Sequence, residues 1–271
     1  MRLISTRYPD LFATIVLQRV GELTLQENRH DRLFCELLNL VGDSDLSLSN
    51  LESFSEKILG QITFGQEAED LLLLRLIDDT SVGFYVDIGA HHPRKFSNTH
   101  LLHARGWSGI NVDATPGSMD AFAIERPGDC NLEIACAESI GVRKLFIFRE
   151  PALNTFDPEL SKLYSQLGHE LIETRDCPTM TLESIFDKYV PEFVEIDVMS
   201  IDIEGLELEV LKTNNWLKFR PRFLVVEVLN ENLETIIQND LYNYLLSHGY
   251  VCLCKLVNSL ILTDTRPKCV G

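Results

Sequence analysis

The sequence predicts an α/β fold: a Rossmann-like, doubly wound seven-stranded sheet, mostly parallel with its last strand antiparallel, behind an N-terminal helical appendage. Three observations predict it. From Gly65 onward short β-rich runs alternate with helical stretches, the pattern of a parallel sheet flanked by helices. The series ends in two strands with no clear helix between them, which brings in the last strand as an antiparallel hairpin. Before it, apolar residues recur at helical spacing (Leu11, Ile15, Leu17 and Val20, then Leu33, Leu37, Leu38 and Val41) with few strand signals. Residues 1–61 are therefore assigned to the appendage and 62–271 to the α/β domain.

In order, Glu67–Ile77 reads as a helix, and strands follow at Phe84–Ile88, Gly109–Asp113 and Asn131–Cys136. Further strands fall at Val198–Asp202, Phe223–Val228, Tyr250–Lys255 and Ser259–Thr263. Helices are expected near Thr99–Arg105, Gly117–Glu125, Leu182–Tyr189, Leu206–Asn214 and Leu233–His248, with an extra antiparallel strand at Lys144–Phe148.

Composition narrows the function classes. A formal net charge of −17 over 271 residues repels nucleic-acid phosphates and anionic lipid heads, and Arg220-Pro221-Arg222 is too short to make a basic patch. Seven cysteines without a Cys-x-x-Cys pair read as reduced thiols in a cytoplasmic protein. Cys252 and Cys254, two apart in an apolar run, are expected on one side of a strand. No segment reaches the ~20 apolar residues of a membrane span, and Leu11–Leu17 makes a poor signal peptide.

Ligands of a doubly wound sheet bind beyond the carboxyl ends of its strands. After the first strand comes Asp87-Ile88-Gly89-Ala90-His91-His92-Pro93, with one glycine where a pyrophosphate-binding turn would carry three. S-adenosylmethionine (SAM) has no phosphate, so one close-approach glycine and a carboxylate suffice. Asp87 suits its ammonium and the following helix N-terminus its carboxylate. Asp113 ends the second strand, with Ala114 beside it; the acid either accepts both ribose hydroxyls or caps the helix near Pro116. Ala135-Cys136-Ala137 offers small side chains for an adenine ring, or simply a packed core. At the fourth tip stand Asp202, Glu204 and Glu207: Asp202 lies where donor meets acceptor, and Glu207 also suits a helix dipole. A Mg²⁺ site of Asp202, Glu204 and Glu227 is a competing reading, and no metal is assigned.

Together Gly65-Gln66, Glu69-Asp70, Val86-Asp87-Ile88-Gly89-Ala90, Asn154-Thr155 and Ile201-Asp202-Ile203-Glu204-Gly205-x-Glu207 resemble the FkbM-type methyltransferases, over roughly residues 62–265. Ser97-Asn98-Thr99 and Arg105-Gly106-Trp107-Ser108-Gly109 resemble a branch that accompanies polysaccharide or glycolipid biosynthesis. The resemblance implies SAM as donor and a hydroxyl, often on a sugar or polyketide, as acceptor. It implies Asp87, Gly89 and Ala90 along the methionyl part, Asp113 at the ribose, and Asp202 with Glu204 at the reacting end. Many family members have Asn and Gly where this chain has His91 and Pro93. Pro93 removes a backbone donor, while His91 joins the cofactor residues and His92 is either a general base or a side chain satisfied beside the turn.

The function expected is therefore SAM-dependent O-methylation of a sugar, glycan or related small molecule, with no nucleic acid and no integral membrane segment involved and homo-oligomerisation left open. The rival class is a non-catalytic SAM-binding or assembly module that uses residues 1–60 to contact a partner enzyme. A nicotinamide dehydrogenase is disfavoured by the missing glycine fingerprint.

Overall fold

A computed structural model describes residues 62–77, 82–150, 153–203 and 205–266. The helices expected in 1–61, the acid Glu204, and the thiols Cys35 and Cys269 lie outside the described residues. The chain runs α1 (Glu69–Leu76), β1 (Phe84–Ile88), α2 (His100–Ala104), β2 (Ser108–Asp113), α3 (Ser118–Glu125), β3 (Cys130–Glu133), β4 (Ala135–Cys136) and β5 (Gly141–Phe148). It continues α4 (Pro158–Gln166), β6 (Leu171–Met180), α5 (Leu182–Tyr189), β7 (Val198–Ile201), α6 (Glu207–Leu211), β8 (Phe223–Glu227), a 3₁₀ turn (Ile236–Gln238), α7 (Asp240–Ser247), β9 (Tyr250–Lys255) and β10 (Ser259–Asp264).

Seven strands form one sheet in the order β3-β2-β1-β7-β8-β10-β9. The first five are parallel, and β10 enters antiparallel between β8 and β9, as the sequence predicts. Side-chain alternation divides the core. Val86, Ile88, Ile110, Met199 and Leu224 pack on Leu182, Ile185 and Phe186 of α5, Leu211 of α6 and Leu245 of α7. Tyr85, Val198, Phe223, Val225 and Ile261 point to the other face and pack on Leu73 of α1 and Leu102 of α2. Among the described residues no helix is long and apolar enough to cross a membrane.

Several expectations change. The strand expected at 131–136 is two: β3 pairs with β2 in the main sheet, and β4 turns away to pair with β6. A second sheet, β4-β6-β5, results. Its strand β6 gives no readable period because Leu171 to Asp176 are all exposed, so both of its faces meet water. Helix α4 follows Asp157, whose Oδ1 accepts from Glu159 and Leu160 N, with Pro158 in the first turn. The helix expected over 233–248 breaks at Asn239, whose Oδ1 accepts from Leu241 and Tyr242 N and so starts α7 afresh. Cys252 and Cys254 are free thiols but pack into opposite cores. A register shift between Ile261 and Leu262 inserts an extra residue into β9, and this flips the alternation.

Candidate functional site

On the face that carries Tyr85, strands apolar at their base turn polar at their carboxyl tips. Tyr85 is followed by Asp87 on β1, Val198 by Ser200 and then Asp202 on β7, and Val225 by Glu227 on β8. On β2, Asn111 and Asp113 follow Gly109, and a Cβ at Gly109 would strike the Tyr85 ring. Strand register sets Asp87 between Asn111 and Ser200. The period of two thus gathers the polar side chains of four strands at one end of the sheet.

Gly89 occupies the turn after β1 with φ +81°. A Cβ there would lie 1.8 Å from the Asp202 carbonyl oxygen, so only glycine admits this approach of the β1 and β7 tips. Asp202 N donates to Ile88 O at 3.0 Å, and Gly89 and Ala90 N donate to Val112 O at 2.9 and 3.0 Å. The turn is thereby knitted to both neighbouring strands. Ala90 faces inward onto Met119 and Phe122. His91 also has positive φ, and its N–H donates to Asp113 Oδ2 at 2.9 Å while Thr115 N donates to Oδ1 at 2.7 Å. Asp113 is not a helix cap, since Gly117 precedes α3. Its carboxylate, with about four acceptor positions, keeps lone pairs for a ligand.

His92 Nδ1 accepts from Arg94 N at 3.0 Å and Lys95 N at 3.2 Å. Burial holds its pKa below the usual histidine value, so the ring is neutral and carries its proton on Nε2. Pro93 donates nothing, yet its carbonyl accepts from His100 Nδ1 at 3.1 Å and from Arg126 Nη2.

Beneath the turn lies a polar network that the sequence reading passed over. Arg126, 1% exposed, donates to Thr99 Oγ1 at 2.9 Å, Ser97 Oγ at 3.0 Å, Asn111 Oδ1 at 3.2 Å and Tyr85 Oη at 3.3 Å. Thr99 Oγ1 donates to Asp87 Oδ2 at 2.6 Å. Asp129 accepts from Gly109 N, Asn111 Nδ2 and the Tyr85 hydroxyl. Burial raises the Asp87 pKa, and the Thr99 hydrogen bond and the Arg126 charge oppose it. A signal was present: Asn111 interrupts an apolar central strand, and a buried amide there requires partners.

At the tips of β7 and β8, carboxylate oxygens of Asp202, Glu207 and Glu227 lie within 4.8 Å of one another and could hold a hard divalent cation. Glu207 belongs to this group among the described residues, and its Oε1 already accepts from Ile203 and Gly205 N; Glu204 of the expected Mg²⁺ set lies outside them. Asp202 and Glu227 also line a cleft with Asn98, Gln66, Glu67, Glu69, Asn258 and Ser259, enclosing about 20 Å³, room for one water or hydroxyl group. Glu67 closes it by accepting Asn258 N with both oxygens, and Glu69 by accepting Ser259 Oγ at 2.9 Å. Buried Asp70 accepts from Phe64 and Leu71 N, which fixes the Gly65-Gln66 corner. Ala114 and Ala135 meet in a separate apolar cluster with Leu145 and Cys177. Asn154 Oδ1 accepts Phe148 N at 2.9 Å, and Thr155 bridges to Phe146, so this pair braces the second sheet.

The structure thus gathers Asp87, Gly89, Ala90, His91, His92 and Asp113 around one turn, and carries Asp202 to its edge through the Gly89 contact. The crystal structure of methyltransferase FkbM from Methylobacillus flagellatus KT is similar at 13% identity and a TM-score of 0.44, covering 95% of this chain and 60% of that one. This chain therefore spans 60% of the length of that protein. No curated protein matches the chain. The model of the methyltransferase FkbM domain matches residues 87–252, well over half of the sequence, from β1 to β9, the first strand of the terminal hairpin. The chain belongs to the FkbM methyltransferase domain family.

Proposed function

We propose that the protein is a SAM-dependent O-methyltransferase acting on a hydroxyl of a sugar, glycan or related small molecule. The observation that carries this reading is the contact of Gly89 with the Asp202 carbonyl, which sets a cofactor-type turn beside an acid-lined cleft. The residues fit the cofactor. Gly89 lets the turn close against the Asp202 carbonyl, Asp87 offers a carboxylate to an ammonium, and Asp113 keeps acceptor positions for two ribose hydroxyls. Ala114, next after Asp113, and Ala135 pack together and would offer small side chains to an adenine ring.

When bound, SAM supplies a methyl group activated by the positive sulfonium. The protein's part is to hold the acceptor oxygen in line and manage its proton. Asp202, with Glu227 beside it, orients a hydroxyl inserted into the cleft and takes its proton. His92 suits this base role less well, because Nδ1 is occupied by two backbone donors and Nε2 carries hydrogen. We assign it to shaping the turn. Glu204 is assigned to the reacting end only as the acid two positions after Asp202.

Among the described residues the cleft is lined by Glu67, Glu69, Asp202 and Glu227 with no lysine or arginine, which favours a neutral hydroxyl over one flanked by phosphate. The test is S-adenosylhomocysteine release from SAM across neutral polyols and glycans alongside nucleotide-diphosphate sugars. Turnover is expected with neutral acceptors, and turnover confined to phosphorylated ones would overturn the acceptor class. Asp202→Asn should lower turnover by about 10²-fold or more with SAM affinity nearly unchanged. Full activity in that variant removes Asp202 from the mechanism.

A further inference from the structure

We infer that Arg126 is a positioning residue for the cofactor turn: its guanidinium ties the loop from Pro93 to Thr99 down over β1 and sets a positive charge beneath Asp87. The inference rests on the SAM reading above. Three of its acceptors, Pro93 O, Ser97 Oγ and Thr99 Oγ1, belong to that loop, and Thr99 passes the contact on to Asp87 at 2.6 Å. Asn111 and the Tyr85 hydroxyl anchor the other side of the fork to β2 and β1. A planar guanidinium carries five donors in a fixed fork and reaches acceptors on both of its sides, whereas an ammonium offers three from a single nitrogen. Among the described residues its Nε finds no hydrogen-bond partner.

The charge has a second consequence. The charged groups facing Asp87 are Arg126, Asp113 and Asp129, while His100 and His103 of α2 are held toward neutrality by burial. Among the described residues Arg126 is the cation that acts most strongly on Asp87. Without it, burial and the two neighbouring carboxylates are opposed only by Thr99, which raises the Asp87 pKa further and weakens its hold on the ammonium of SAM.

The test is calorimetric titration of the full chain with SAM from pH 6 to 8.5, with melting measured on the same samples. Each variant is expressed as the ratio of its Kd to that of the unaltered chain, which cancels the titration of the ligand's own amino group. Arg126→Met should raise the ratio at least about tenfold at pH 6, shrinking toward pH 8.5 as Asp87 ionises. Adding Asp87→Asn should abolish the slope. Arg126→Lys keeps the charge and loses the fork, so its ratio should be several-fold and flat. If the Met variant does not fold, the Lys variant carries the test: an unchanged Kd overturns the tie to the loop, and a pH slope overturns the charge argument. A folded Met variant with a ratio of one, or a raised ratio independent of pH, overturns the inference. Absence of binding by the unaltered chain overturns the SAM reading and this inference with it.

Discussion

At the scale of single residues, backbone geometry decides more than side-chain chemistry. Gly89→Ala places a methyl group against the Asp202 carbonyl at a φ of +81°. The left-handed conformation alone costs on the order of 1–2 kcal/mol, and relieving the contact must also part β1 from β7. A lower melting temperature and lost SAM binding are expected; wild-type affinity would show that the strand tips can separate freely. His100 gives the pH dependence. Burial and the Arg126 charge bring its pKa down to about 3, so between there and its ordinary 6.5 only the unfolded chain takes up the proton. Acid therefore favours unfolding, by about 1.4 kcal/mol per pH unit. Between pH 6.5 and pH 5, urea unfolding of the unaltered chain should lose about 2 kcal/mol more than that of His100→Gln. An equal loss in both would assign the acid sensitivity to other groups. Gly89, Asp113 and Asp202 were readable because their neighbours in sequence are the strands they terminate. Arg126 was not, because its partners come from residues 85, 93, 97, 99 and 111, and no local period brings these together.

At the scale of elements, strands buried on both faces announced themselves and exposed ones did not. β1, β7 and β8 are mostly apolar runs, whereas β6 carries Glu173, Thr174, Arg175 and Asp176 in succession and is held mainly by its ladder to β5. The break in the 233–248 helix was legible in principle, since Asn239-Asp240 has the chemistry of a helix start. Asn239→Ala removes two hydrogen bonds to the first turn of α7 and should cost about 1 kcal/mol in urea unfolding. SAM affinity should not change, because α7 packs on α6 and β9 rather than on the turn. No loss of stability would mean that the 3₁₀ turn extends to replace the cap.

At the scale of the whole molecule, the net charge of −17 works against compactness. Raising ionic strength from 0.01 M to 0.15 M shortens the screening length from about 30 Å to about 8 Å, and the melting temperature should rise. A fall would mean that exposed pairs such as Arg149–Glu170 and Lys218–Asp187 outweigh the general repulsion. The cleft at the strand tips has one more consequence, which concerns the order of assembly. Its walls come from Glu67 and Glu69 near the start of the domain and from Asn258 and Ser259 about 190 positions later, joined by direct hydrogen bonds. The Gly89 turn needs only β1, β2 and β7, all finished by residue 203. During synthesis the Gly89 turn can therefore close while the cleft still lacks the wall that Asn258 and Ser259 supply.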